Sequence, residues 1–377
     1  MHSLYRRPLP PPLVAFASPA GRALFDAARA SGGMSSFFPL IEQHHTQADP
    51  AFCGLGSLVV VLNALGVDPG RLWKGPWRWF SEELLDCCAS LERVRSRGIT
   101  LDELACLARC NGASADVRRA DSESDLRAAV AAAAASELDP ALVVAYDRAA
   151  LGQTGGGHFS PVGGYDRASD HVLVLDVARF KYPPHWVPLP ALHAAMQPLD
   201  PATGRPRGYV ALRRSDRPAS LLFTARCSDG GLEGFSAALA GLLADLAAAA
   251  PTDVPAALRV ALAAAARLPL ALERRALALH EHAAAAEALL ADLRAAPVHA
   301  AAAAHAVPPW DPDAAALLLL ALPDEVWSPL AADLRAALRA LLDPAGLPAA
   351  LRDECEHIRR QLADLTELTR GSCSRCG

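Results

Sequence analysis

The chain has no apolar run longer than the nine residues from Ala314 to Leu322. A membrane-spanning helix needs about 18 or more apolar residues, so no span is expected. Positive charge is short as well: 36 Lys and Arg against 41 Asp and Glu leave a formal charge of −5, which removes the electrostatic case for a nucleic-acid partner. No secretory leader is expected, because Arg6, Arg7, Pro8 and Pro10 to Pro12 stand where its apolar segment would have to sit. The same stretch contains arginine and only one acid, Asp26, before Glu42, so a chloroplast transit peptide competes with a cytoplasmic location. Nine cysteines is an odd count, and without a leader it reads as a reduced thiol inventory rather than a disulfide framework. What remains is 52% hydrophobic and 20% charged over 377 residues, enough for two domains with real cores.

The composition changes near residue 215. Residues 1–214 hold all five tyrosines and six glycines between 152 and 164. From 228 to 370 Ala and Leu dominate, interrupted by prolines from Pro251 to Pro348. That half predicts an Ala/Leu-rich, mostly α-helical domain over 215–377. In the first half, Phe52–Leu65 predicts a buried helix opened by Cys53 and stopped by Gly66. Thr100-Leu-Asp-Glu103 is a capping box for a helix running to Cys110, and Ser122–Ala135 predicts another. Leu142–Tyr146, His158–Gly163 and Val172–Asp176 are short β-rich runs, so a small antiparallel sheet is expected. Helices first and strands later is an α+β order.

Chemistry enters through four residues in a fixed order: Gln47, Cys53, His158 and Asp176. A thiol has a reference pKa of about 8.5 and attacks as the thiolate. A helix N-terminus stabilises that thiolate and an imidazole takes its proton; Cys53 and His158 are placed for these parts. Asp176 would fix the imidazole tautomer. Gln47 would donate its amide to a tetrahedral oxyanion beside the Cys53 N–H. Singly, each has a plainer reading: a packed small hydrophobe, a loop histidine, a turn former and a surface amide. Together they are the parts of a papain-like cysteine acyltransferase or protease.

Longer blocks surround these residues: Thr46-Gln-Ala-Asp-Pro-Ala-Phe-Cys-Gly-Leu-Gly-Ser57, Trp73-Lys-Gly-Pro-Trp-Arg-Trp-Phe80, Asp86-Cys-Cys88, Gln153-Thr-Gly-Gly-Gly-His-Phe-Ser-Pro161 and Asp176-Val-Ala-Arg-Phe-Lys-Tyr-Pro-Pro-His-Trp186. Over roughly residues 3–212 the sequence closely resembles phytochelatin synthases, particularly the plant and algal form. The resemblance implies a papain-like catalytic domain over 1–214 that acts on glutathione and phytochelatin oligomers. It implies Cys53, His158 and Asp176 as the catalytic triad and Gln47 at the oxyanion. It implies no organic cofactor. A heavy-metal ion (Cd²⁺, also Zn²⁺ or Cu⁺) would activate largely as a metal–glutathione thiolate, that is, as part of the substrate. Arg179 and Arg207 are candidates for the substrate carboxylate, because guanidinium offers a bidentate fork. The plainer readings are a structural salt bridge for Arg179 and a strand-edge surface charge for Arg207.

The remaining cysteines are candidate metal ligands. Cys87 and Cys88, read as helical neighbours, would point about 100° apart, whereas Cys106 and Cys110 share one helix face; all four match cysteine positions of the plant family. Cys373-Ser-Arg-Cys376 is an isolated CxxC, with Cys355 and His357 upstream as further ligands. The C-terminal domain would sense metal, stabilise the catalytic half or dock a second protomer into a homodimer. Trp73, Trp77 and Trp79 read as structural. Two other functions compete: a hydrolase that only removes glycine from glutathione or its S-conjugates, and a metal-binding protein whose cysteines are ligands.

Overall fold

The computed structural model describes residues 6–216, 220–227, 231–275 and 280–373. It divides into two compact units, residues 1–86 with 91–216 and residues 87–90 with 217–377.

The first unit runs β1 (Val14–Ala15), α1 (Pro19–Ala30), α2 (Phe37–Gln43), α3 (Cys53–Ala64), α4 (Leu91–Arg97), α5 (Leu101–Cys110), β2 (Ala113–Arg119), α6 (Glu123–Ala135), β3 (Ala141–Asp147), β4 (Gly157–Asp166), β5 (His171–Val174), β6 (His185–Pro188), α7 (Leu189–Met196), β7 (Leu199–Asp200), β8 (Arg205–Pro206) and β9 (Gly208–Arg214). Seven strands form one sheet in the order β1-β6-β5-β4-β3-β9-β2, antiparallel at every pairing; β7 and β8 make a separate two-stranded ribbon. The α+β class expected from the sequence is observed.

Local signals explain several elements. Helix α3 is buried from Gly54 through Leu62, so it is the unbroken apolar run, not an amphipathic stripe, that makes it a central helix. It packs against α2, α5 and β4. Helix α5 begins at the capping box: Glu103 N donates to Thr100 Oγ1 at 3.2 Å and Thr100 N to Glu103 Oε2 at 2.8 Å. Strand β3 is buried along almost its whole length, as a central strand must be.

The second unit contains β10 (Phe223–Cys227), α8 (Gly231–Ala249), α9 (Val254–Ala265), β11 (Leu270–Arg274), α10 (His280–Ala295), α11 (Pro297–Ala303), α12 (Pro312–Ala321), α13 (Ala332–Leu342) and α14 (Ala349–Cys373). Proline sits in the first turn of α9, α11 and α12, where its missing N–H has no intrahelical role. The antiparallel pair β10–β11 is a non-helical part of this mostly helical unit. Its anchor is Glu354 on α14, whose carboxylate accepts from Leu221 N and Leu222 N at 3.0 Å each and from Phe223 N at 3.2 Å. The apolar run Ala314–Leu322 is buried along its length. Among the described residues no helix is long and apolar enough to cross a membrane.

Candidate active site

Cys53 opens α3 behind Phe52, which supplies no side-chain cap. The first-turn N–H groups are therefore left without intrahelical acceptors beside the half-buried thiol. His158, second in β4, is paired across the sheet with Tyr146 of β3, and the Tyr146 ring meets it edge-on at 5.7 Å. Asp176 lies two residues beyond β5, completely buried, and accepts from Ala178 N at 2.9 Å. His158 Nε2 is 2.9 Å from Asp176 Oδ1. A carboxylate accepts only, so the ring proton sits on Nε2 and Nδ1 is left for the thiol.

Charges follow from this geometry. Burial pushes the Cys53 thiol up, but the charge and hydrogen bond of His158, the Phe159 N–H and Arg148 outweigh it and leave the thiol below its ordinary value. Burial opposes the His158 imidazolium, yet the Asp176 carboxylate and the Cys53 thiolate raise it, against the charge of Arg148. Desolvation likewise works against the Asp176 carboxylate, and His158 and Arg148 hold it well below the carboxylate range. The arrangement favours a thiolate–imidazolium pair oriented by a buried anion.

Sequence reasoning missed Arg148. It follows β3, is buried, and places Nη2 2.9 and 2.8 Å from the two Asp176 oxygens and 2.9 Å from His158 Nε2. Its Nη1 donates to Gln153 Oε1 at 2.8 Å, and its guanidinium lies 5.0 Å from the centre of the Tyr182 ring. Gln153 Nε2 reaches His185 Nε2 at 3.2 Å, and His185 Nδ1 donates to Pro183 O at 2.8 Å. No spacing or composition marks Arg148; only its convergence with His158 on Asp176 does.

Gln47 is buried, and its backbone N–H donates to Val177 O at 3.0 Å, next to Asp176. Its amide Nε2 donates to Asp49 O at 2.8 Å and Pro50 O at 3.0 Å, while Oε1 has no partner among the described residues. Donation to an oxyanion therefore requires exchanging one of these carbonyl bonds.

A phytochelatin synthase family model matches residues 4–209, more than half of the chain. The chain belongs to the phytochelatin synthase family. It is similar to glutathione gamma-glutamylcysteinyltransferase 3 of Lotus japonicus, 52% identical over 231 residues, covering 60% of this chain and 48% of that protein. It is also similar to glutathione gamma-glutamylcysteinyltransferase 1 of Triticum aestivum, 53% identical over 231 residues, 60% and 46% of the two chains. The glutathione gamma-glutamylcysteinyltransferase of Schizosaccharomyces pombe is 46% identical over 222 residues, 58% and 53%. The chain spans about half the length of the curated relatives it matches.

In this phytochelatin synthase family member the two candidate carboxylate binders have different surroundings. Arg179 is exposed; together with burial its charge lowers His44 to about 4. Arg207 is not a surface charge. It is buried, donates from Nη1 to Pro198 O at 2.6 Å, faces Asp147 at 3.6 Å and lies against Gly157 at the start of β4. A further cation, Lys181, was not anticipated. Its Nζ lies against Gly155, a glycine at φ +108 in the turn before His158. Burial and then the charges of Arg148 and Arg7 lower Lys181. Arg6 N and Arg7 N donate to Phe180 O and Lys181 O at 2.8 Å each.

The cysteines depart from the sequence reading. Cys87 and Cys88 lie in a bend rather than a helix, their sulfurs 3.8 Å apart. Cys106 and Cys110 are buried on α5. Cys88 and Cys106 are each disulfide-bonded, against the expectation of thiols throughout, and a disulfide sulfur is not a thiolate ligand. Cys87 and Cys110 are buried thiols, not disulfide-bonded. In the second unit Cys355 is buried and its thiol is pushed up to about 12 by desolvation. Cys355 and His357 both lie on α14, and residues two apart on a helix do not share a face, which argues against a joint site. Cys373 ends α14; its side chain and Cys376 lie outside the described residues. The three exposed tryptophans, Trp73, Trp77 and Trp79, are not core.

Proposed function

We propose that this chain is a papain-like γ-glutamylcysteine dipeptidyl transpeptidase that makes phytochelatins from glutathione. The observation that carries the reading is the Cys53–His158–Asp176 constellation, with its depressed thiol and 2.9 Å imidazole–carboxylate contact. A papain-like fold is supported by a nucleophile at the start of a buried helix and by a histidine and acid delivered by neighbouring antiparallel strands.

In the first half-reaction the Cys53 thiolate attacks the carbonyl carbon of the Cys–Gly amide. The oxyanion faces the Cys53 N–H and the Gln47 amide. The C–N bond breaks as His158 gives its Nδ1 proton to the leaving nitrogen, releasing glycine and leaving a γ-Glu-Cys thioester. In the second half-reaction His158 takes a proton from the α-amine of another glutathione. That amine attacks the thioester, the C–S bond breaks, and (γ-Glu-Cys)₂-Gly leaves; repetition extends the chain. The cations at Lys181, Arg179 and Arg7 suit substrates that carry several carboxylates. Metal ions enter as metal–glutathione thiolates, part of the substrate, for heavy-metal chelation. Cys87, Cys88, Cys106, Cys110, Cys373 and Cys376 remain proposed ligands, with Cys88 and Cys106 requiring reduction first.

The test is mass spectrometry of products from millimolar glutathione, with and without micromolar Cd²⁺, for the wild-type protein and Cys53→Ser. Ladders spaced by one γ-Glu-Cys unit, metal-dependent and absent in the variant, support synthesis. Only γ-Glu-Cys and glycine would make it a hydrolase. No Cys53-dependent product would end the enzyme reading and favour cysteine-based metal binding.

A further inference from the structure

We infer that Glu82 is a positioning residue for acyl transfer: its carboxylate clamps the His45–Ala48 segment, and with it Gln47, against the first turns of α3. This rests on the reading of Gln47 as an oxyanion donor.

Glutamate is among the residues least often buried without a partner, yet Glu82 is 7% exposed. It opens a 3-10 turn, Glu82–Leu84. Its Oε1 is 3.0 Å from His45 Nε2 and accepts from Ala48 N at 3.2 Å. Those two contacts straddle Thr46 and Gln47. From the other side Gln47 N donates to Val177 O, so the segment is held between a carboxylate and the backbone beside Asp176.

The anchor of Glu82 returns to the helix that carries the nucleophile. Asn63, near the end of α3, donates from Nδ2 to Phe80 O and accepts from Phe80 N, both at 3.0 Å. The chain then reaches Glu82, crosses to His45 and Ala48, and brings Gln47 back onto α3 at Gly56. A Cβ added to Gly56 would lie 3.2 Å from Gln47 Cβ and 3.5 Å from Glu82 Oε1. The absence of a side chain lets helix, amide and carboxylate lie this close. Burying a carboxylate is unfavourable unless hydrogen-bonded, and here His45 and the Ala48 N–H bond it. What this one secures is the distance between Gln47 and Cys53, and a misplacement of about 1 Å near the reacting atoms can cost a hundredfold in rate. Glu82 stays ionised in place: burial works against it, but the His45 hydrogen bond and the Ala48 N–H hold it below the ordinary glutamate range.

The experiment is the rate of acyl-enzyme formation, read as glycine released in a single turnover with glutathione. It compares wild type, Glu82→Ala, Glu82→Gln, Gln47→Ala and the double variant Glu82→Ala/Gln47→Ala. Loss of one oxyanion donor is worth about 10²–10³ in kcat. On that scale Glu82→Ala should slow acylation by about 10–100-fold with KM nearly unchanged. Glu82→Gln, which keeps an acceptor for Ala48 N–H, should recover part of the rate. In the Gln47→Ala background, Glu82→Ala should have almost no further effect. A wild-type rate for Glu82→Ala, or an undiminished loss in the Gln47→Ala background, overturns the inference alone. A wild-type rate for Gln47→Ala overturns the oxyanion reading and the inference with it. Should Glu82→Ala fail to fold by circular dichroism, Glu82→Gln and His45→Gln run through the same cycle.

Discussion

His158 Nε2 and Asp176 Oδ1 lie 2.9 Å apart inside the sheet, and Arg148 reaches the same carboxylate. Asp176 therefore sets which ring nitrogen is protonated. Asp176→Asn would present an amide that can donate to Nε2, moving the ring proton to Nδ1 and removing the base from the thiol. The analogous change in serine enzymes lowers kcat by about 10⁴. Because a thiol ionises more readily, a fall of about 10²–10⁴ is expected here. Steady-state glycine release checks this, and an Asp176→Asn enzyme within threefold of wild type would refute the orienting role.

The pH profile should be bell-shaped and movable. On the proposed mechanism acylation needs the thiolate, whose limb lies below the ordinary cysteine value, and glycine departure needs the imidazolium, whose limb lies above the ordinary histidine value. The two groups titrate as a coupled pair, so the limbs belong to the pair. Arg148 lowers both groups. Arg148→Met should therefore shift both limbs to higher pH. The check is kcat/KM against pH, together with the pH dependence of alkylation by iodoacetamide. An unmoved profile in a folded variant would count against the electrostatic assignment.

How much of this was legible in the sequence depends on the range of the interaction that decides each element. The helix at Cys53 and the capping box at Thr100 are written in consecutive residues, and both appear within a residue of expectation. The apolar runs that became β3, β4 and β5 were readable for the same reason. Strand β2, Ala-Ser-Ala-Asp-Val-Arg-Arg, has little local β signal; its partner is β9, paired from Ala113 with Arg214 to Arg119 with Gly208, far along the chain, and that pairing decides it. The same holds for β10 and β11 in a stretch whose composition favours helix. Cys87 and Cys88 are not helical neighbours, because the chain bends between the 3-10 turn at Glu82–Leu84 and α4. Gln47, Cys53, His158 and Asp176 could be named from order and type. Arg148, Glu82 and Lys181 could not, since what distinguishes them is who they touch.

The position after Cys53 is crowded. A Cβ on Gly54 would lie 2.4 Å from Ile99 Cδ1 and 3.3 Å from Phe159 Cδ2. Phe159 follows His158 and its N–H supports the Cys53 sulfur, so pressure there is felt on both sides of the pair. Overpacking of this kind costs about 1–3 kcal/mol. Gly54→Ala should lower stability by that amount in urea unfolding and slow thiol alkylation. Unchanged stability would show that Ile99 moves aside freely.

A last prediction concerns the second unit, where Asp313 is the focus of a charge cluster. It lies in the first turn of α12, below the Asp311 cap, which accepts from Ala314 N at 2.8 Å. Asp313 is 4% exposed. It accepts from Arg294 at 3.0 and 2.7 Å, from His299 at 2.9 Å, and from Arg274. The Arg294 hydrogen bond, against some desolvation and with help from Arg274 and His299, holds its carboxyl well below the usual range. A depressed folded-state value gives stabilisation that is fully present above the unfolded carboxylate value of about 3.9 and is lost as pH falls toward the folded one. Asp313→Asn leaves Arg274, Arg294 and His299 without their shared anion, which should cost about 1–3 kcal/mol near neutrality. The gap from wild type in urea unfolding should narrow as pH drops below about 4, since the wild type then loses what the variant never had. A gap that stays constant from pH 7 to pH 2 would mean that Asp313 acts through packing and not through its charge.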